Sequence, residues 1–222
     1  MPHEDSPPAA PPAPPAPAPA GTAPRRRPKP GERRLQILQT LAAMLQEPAA
    51  ERVTTAALAA RLGVSEAALY RHFASKAQMF EGLIDFVEQS VFTLVGQIVE
   101  SGGEEGDADA GSRQAGRIVA LVLQFGERNP GMVRVMVGDA LVYEHARLRQ
   151  RMNQFFDRIE STLRQCLRPA AGAAGSQTPS VDAQVRASTL VAFMIGRLQR
   201  YERSDFRRLP GELLQPALAL ML

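Results

Sequence analysis

Apolar residues recur along this chain at spacings of three and four almost throughout, and very few stretches alternate with a period of two. Residues 32–46 place Leu35, Leu38, Leu41, Ala42 and Leu45 on one side of a helix, with Pro48 just beyond its end. Two short helical stretches, 55–62 and 66–73, come next. A long helix over 76–100 follows, with Met79, Leu83, Phe86, Val87, Val91, Leu94 and Ile98 on its stripe. A Gly- and acid-rich run over 101–111 reads as a flexible loop. Further helices are predicted at 112–128, stopped by Asn129-Pro130-Gly131, then near 131–141 and over 143–168. In the last of these, Leu148, Met152, Phe155, Ile159, Leu163 and Cys166 share a face. A small-residue linker is expected at 169–180, before closing helices at 181–203 and 209–222. The fold class is therefore all-α.

Composition changes this picture at one end. Twelve of the 18 prolines fall within residues 1–30, mostly between alanines, so this segment is expected to be a disordered tail rather than part of a core. It lacks the charged start and apolar run of a signal peptide. No uninterrupted apolar run is long enough to span a membrane, and the lone Cys166 suits a reducing compartment, so a cytoplasmic protein is expected. The formal charge of +3 is uneven: −2 over residues 1–20, +6 over 21–76 and −1 over the rest. A short basic segment is what a phosphate-binding surface needs, although a basic linker at Arg25-Arg26-Arg27-Pro28-Lys29 would give the same balance.

The segment Val53–Lys76 carries the most chemistry. Thr54 is placed to cap a first short helix, with Ala56, Leu58, Ala59 and Leu62 inward. Gly63 falls where the chain must reverse, Val64 fills the space beneath the turn, and Ser65 caps the next helix. Leu69 and Phe73 anchor that helix inward, leaving Glu66, Ala67, Tyr70 and Arg71 outward. This order describes a helix-turn-helix, whose second helix enters the major groove; a plain helical hairpin is the alternative. Ala67 and Ala68 offer bases only methyl groups, and Glu66 offers an acceptor for cytosine. His72 and His145 have no second ligand at metal spacing, and no phosphate loop, Cys/His cluster or nucleophile elbow points to an enzyme or a cofactor.

The pattern Thr54-Thr55-x-x-Leu58-Ala59-x-x-Leu62-Gly63-Val64-Ser65-x-x-Ala68-Leu69-Tyr70-Arg71-His72-Phe73-x-Ser75-Lys76 resembles the DNA-binding domain of the TetR family. That resemblance implies a three-helix DNA-binding domain at 31–76 and a helical dimerisation and partner-binding domain at 77–222. It also implies phosphate contacts from Thr54, Thr55, Tyr70, His72 and Lys76, with bases facing the helix that starts at Ser65 and Glu66. Four further runs are similar to the family's nucleoid occlusion factors: Ser65–Phe73, Phe125–Gly131, Arg33-Arg34-x-x-Ile37-Leu38-Gln39, and Arg151-x-Asn153-Gln154-x-Phe156-x-Arg158-Ile159-Glu160. This closer likeness implies a nucleoid-associated protein that binds palindromic duplex DNA and, when bound, antagonises the tubulin-like division protein FtsZ. It implies Phe86, Leu121, Arg128 and Asn129 as the partner site, while Leu94 and Gln124 depart from the group's basic residue and glycine. From the residues alone, Phe86 and Leu121 read equally as core, and Arg128 and Asn129 as the end of a helix.

A homodimer is expected, with room for several dimers on one DNA site. Ala187, Leu190, Val191, Met194 and Leu198 form one apolar stripe, and Leu213, Leu214, Ala217, Leu218 and Leu222 another; pairs of these helices would close a four-helix interface. A monomer burying both stripes internally is the alternative. The rival functions are a ligand-responsive transcriptional repressor with an effector cavity, and an adaptor that mainly binds protein.

Overall fold

The computed structural model describes residues 31–47, 52–101 and 109–222; the expected tail and most of the acidic loop lie outside them. The described residues form nine α-helices and one 3-10 turn, with no strand among them. Helices α1 (Glu32–Gln46), α2 (Thr55–Leu62) and α3 (Glu66–Tyr70) make a small head. Ile37, Leu41, Leu45, Leu58, Leu69 and Phe73 are buried at its centre. The predicted helix 66–73 stops early because the His72 and Phe73 N–H groups both donate to the Leu69 carbonyl, which turns the chain and drives Phe73 inward. Ala56 and Leu35, expected inward, are exposed.

The connecting helix α4 (Lys76–Glu100) runs unbroken out of the head. Its length and mean hydropathy of 1.3 over the most apolar window would suit a membrane-crossing helix. Here it is a core helix, with Met79, Phe80, Leu83, Ile84, Val87, Val91 and Val95 buried. Phe86 and Leu94 depart from the predicted stripe and stay 46% and 43% exposed. Phe86 lies just beyond the buried sector, whereas Leu94 points within it, between buried Val91 and Ile98, and stays exposed toward the C-terminal end of the helix.

Helices α5 (Ala110–Arg128) and α6 (Pro130–Met136), the 3-10 turn Asp139–Leu141, α7 (Ala146–Ala173) and α8 (Pro179–Arg203) complete the body, and α9 (Leu214–Met221) closes it. The expected linker is partly helical, because α7 continues through Pro169 to Ala173. Proline removes one backbone bond there, but the exposed ring costs no packing, and Leu167 and Ala171 on either side are buried. The last helix starts at Leu214 rather than 209. Cys166 is buried, and desolvation pushes its thiol pKa up, as befits a core side chain.

The predicted dimer stripe on α8 is corrected by its burial. Ala187, Leu190, Met194 and Leu198 are 0% exposed within the single chain, because α8 folds back antiparallel on α7. Of the other stripe, Leu214 and Leu218 are buried, while Leu213 stays 71% exposed. A polar seam joins α4 to α7. Glu81 pairs with Arg147 at 2.8 Å, Asp85 and Glu88 both grip Arg151, and the Arg158 guanidinium lies 3.8 Å from the Phe92 ring centre. The hydrogen bond from Arg151 to Glu88 raises the guanidinium pKa further.

Candidate DNA-reading face and partner groove

The turn between α2 and α3 depends on Gly63, which sits at φ 66°, ψ 37°, in the left-handed region that glycine enters without a Cβ penalty. Its N–H bonds back to the Ala59 and Ala60 carbonyls, and Val64 donates to Ala59 at 3.0 Å, ending α2 within one turn. Two hydroxyls cap the helices on either side. Thr54 Oγ1 accepts from the Ala57 N–H at 3.1 Å, and Ser65 Oγ accepts from Ala68 at 3.3 Å. Capping uses oxygen lone pairs and leaves each O–H proton to donate outward.

Thr55 is different. Its hydroxyl donates to Glu66 Oε2 at 2.6 Å, linking the first residue of α2 to the first residue of α3. Glu66, Ala67, Tyr70 and Arg71 form an exposed face, with Tyr70 46% exposed. His72 is half-buried, and its carbonyl accepts from Arg34 Nη1, whose guanidinium lies 4.1 Å from the Phe73 ring centre. Arg34 thus braces the end of α3 against α1. The sequence reading missed it, although an arginine beside the anchoring phenylalanine is the sort of pair that stacks.

Lys76 is not a free cation. It opens α4 beneath the Ser75 cap, where Ser75 accepts from Gln78 at 3.2 Å. Its ammonium pairs with Glu144 at 2.5 Å, with side chains only 18% and 9% exposed. As a phosphate donor Lys76 would have to share or exchange that partner, unlike the exposed Tyr70 and Arg71.

A second feature lies where the head meets the body. A groove of about 380 Å³ is walled by Leu35, Leu38 and Ala42 of α1, Leu83 and Phe86 of α4, Arg128 and Asn129 at the end of α5, and Met132 of α6. The Phe86 ring sits 6.0 Å from the Phe125 ring, which supports it on one side and leaves the other to the groove. Asn129 Nδ2 donates to the Phe125 carbonyl at 2.8 Å. Arg128 is exposed and paired with no carboxylate among the described residues. Three of the four expected partner residues therefore converge. Leu121 does not wall this groove; it lies half-buried farther back along α5. Leu94, two turns beyond Phe86, prolongs the apolar line along α4. The α1 wall was missed because Leu35 had been placed on the buried face.

Known proteins bear on both features. Residues 37–83 match the bacterial regulatory proteins of the tetR family, and residues 113–221 match the SlmA-like, tetracyclin repressor-like C-terminal domain. The nucleoid occlusion factor SlmA of Idiomarina loihiensis is 51% identical, with 81% of this chain and 88% of that protein aligned. Those of Marinomonas sp. and Vibrio cholerae are 49% and 48% identical, covering 83% and 80% of this chain and 90% and 88% of theirs. Among solved structures, the TetR family regulator PfmR of Thermus thermophilus aligns with a TM-score of 0.65 at 20% identity, over 84% of this chain and 94% of that one. FadR of Bacillus subtilis, in complex with stearoyl-CoA, gives 0.63 at 14%, over 84% and 96%. These two show the fold. The sequence matches carry the assignment further: this chain belongs to the SlmA family of nucleoid occlusion factors, a branch of the TetR-type helix-turn-helix DNA-binding proteins.

Proposed function

We propose that the protein binds a palindromic duplex site through the α2–α3 face and, while bound, antagonises FtsZ assembly through the groove between α1, α4 and the α5–α6 junction. This would couple the position of the nucleoid to that of the septum. Thr54, Ser65, Tyr70, Arg71 and His72 supply phosphate and groove contacts at one end of the chain. The observation that carries the partner reading is the pairing of the half-exposed Phe86 with the unpaired Arg128 across one groove. An apolar anchor beside a forked guanidinium suits a short acidic peptide. Burial of a Phe side chain contributes about 1.5–3 kcal/mol, which suits a weak and reversible ligand.

The dimer face is the outer side of the α7–α8 pair rather than the buried α8 stripe. Val181 and Val185 are 58% exposed there, Ala192 is exposed, and a Cβ on Gly196 would meet no atom within 4 Å. Small and β-branched residues let two copies of α8 approach closely.

The deciding measurement is FtsZ sedimentation or light scattering with the purified chain, with and without its selected DNA site. Phe86→Ala and Arg128→Ala are expected to keep DNA affinity and lose most of the inhibition, whereas Tyr70→Ala loses DNA binding first. A folded Arg128→Ala protein that inhibits fully would remove the groove assignment. If DNA-bound wild type has no effect on FtsZ and a small molecule releases it from DNA, the protein is an ordinary ligand-responsive repressor.

A further inference from the structure

A threonine hydroxyl has one proton to donate, and that of Thr55 is already committed to Glu66 Oε2 at 2.6 Å. Thr54 and Ser65 cap with lone pairs and keep their protons. Thr55 is therefore the poorest phosphate donor of the three. Glu66, in turn, is exposed at the first position of α3, with Oε1 bonded to nothing and no cation paired with it among the described residues. A carboxylate in a helix's first turn complements the dipole wherever its side chain rotates. That role needs no hydroxyl holding one oxygen in place.

A fixed carboxylate on a DNA-facing surface is repelled by phosphates and becomes useful only opposite a donor. The major groove offers two, the amino groups of cytosine and adenine. Adenine's is flanked by the N7 acceptor, which would repel Glu66, whereas the neighbour of cytosine's is a carbon. The adjacent Ala67 is exposed and small, so the helix can approach closely enough for one oxygen to reach the base edge.

We propose that Thr55 and Glu66 form one base-reading unit: Thr55 is a positioning residue that holds the Glu66 carboxylate through one oxygen, and the other accepts from a cytosine amino group. This rests on the DNA-binding reading above and names what that surface selects.

The test selects binding sites for the full-length wild type from a random duplex library. It then measures affinities for single base-pair variants of the selected site by fluorescence anisotropy over a series of salt concentrations. Wild type is expected to prefer cytosine at one position of each half-site by roughly tenfold. Thr55→Val should flatten that preference and leave the slope of affinity against salt unchanged; Thr55→Ser should restore it. Glu66→Gln should lose the preference without loss of affinity for unrelated duplex, and melting curves confirm that each variant is folded.

Uniform weakening in Thr55→Val, with the salt slope reduced by about 1 per half-site, would make Thr55 a phosphate ligand and overturn the unit. Unchanged base preference in both variants would overturn it too. A wild type that binds duplex but selects no such cytosine defeats this proposal and leaves DNA binding intact; one that binds no duplex defeats the reading beneath it.

Discussion

The Lys76 ammonium lies 2.5 Å from Glu144 Oε1 and 5.6 Å from the Phe80 ring centre, so the first residue of α4 is tied to the segment leading into α7. A phosphate approaching this end of α4 competes with Glu144 for one charge. Glu144→Gln should therefore raise affinity for any duplex by about fivefold at low salt, as a free ammonium and one fewer negative charge meet the backbone. The same change should lower thermal stability by about 1–3 kcal/mol, the cost of leaving one partner of a largely buried pair unmatched. Anisotropy titrations and melting curves on the same preparation check both. A variant that melts lower and binds no tighter would show that Lys76 does not face DNA.

Two phenylalanines of α4, six residues apart, should behave oppositely. Phe80 is 1% exposed and Phe86 46%. Phe80→Ala is expected to cost about 3–5 kcal/mol in urea unfolding, through lost burial and the cavity left behind. Phe86→Ala should cost less than about 1.5 kcal/mol, because much of its ring already meets water. Equal losses would place Phe86 in the core and end its role as a groove anchor.

Stability should also carry a pH signature from Glu202. Burial raises its carboxyl pKa, Asp139 adds to the effect, and Arg134, whose Nε lies 3.6 Å away, opposes it. The folded chain thus holds this proton more tightly than the unfolded chain does. The contribution is most favourable below the ordinary glutamate range and is lost as pH climbs through the raised pKa. Wild type should lose stability relative to Glu202→Gln as pH rises through and above the ordinary glutamate range, read by denaturant midpoints at successive pH values. A flat difference would contradict the shift.

Gly131→Ala should destabilise the protein by at least about 2 kcal/mol. An added Cβ there would stand 2.1 Å from the Ala42 carbonyl oxygen and 3.3 Å from the Gln46 nitrogen, both backbone atoms that cannot swing aside. Gly96→Ala within α4, which would meet nothing within 4 Å, is the control for helix propensity. If Gly131→Ala melts with wild type, the close approach of α1 and α6 is not real.

The sequence announced the helix-turn-helix because its signals are local. Thr54, Gly63 and Ser65 each act within four residues, through caps and a left-handed turn. What was hidden depends on distant parts of the chain. The stripe Ala187–Leu198 told correctly that one face of α8 is buried, but periodicity cannot say whether the cover is α7 or a second copy. Helix α7 passes Pro169 because its buried neighbours Leu167 and Ala171 outweigh one missing backbone bond. Phe86 fitted an apolar repeat wider than the core required, and Leu94 lies on the core-facing side but stays exposed, because periodicity does not say how far along a helix its cover extends. The Thr55–Glu66 bond joins residues brought together only by the turn between them, so the family resemblance implies two independent DNA contacts where the fold links the pair.

The near-contact of backbones at Gly131 and Ala42 pins the DNA-reading head to the body at a point with no side chain between them. Head and body should accordingly turn as a single lever. In a two-fold assembly, the gauge between the two reading helices would then be fixed remotely, by how the α7–α8 faces mate, and not by adjustment at the DNA. Such a protein behaves as a calliper: it accepts or rejects a pair of half-sites by their separation, and a base pair added between them is felt as a misfit along the whole molecule.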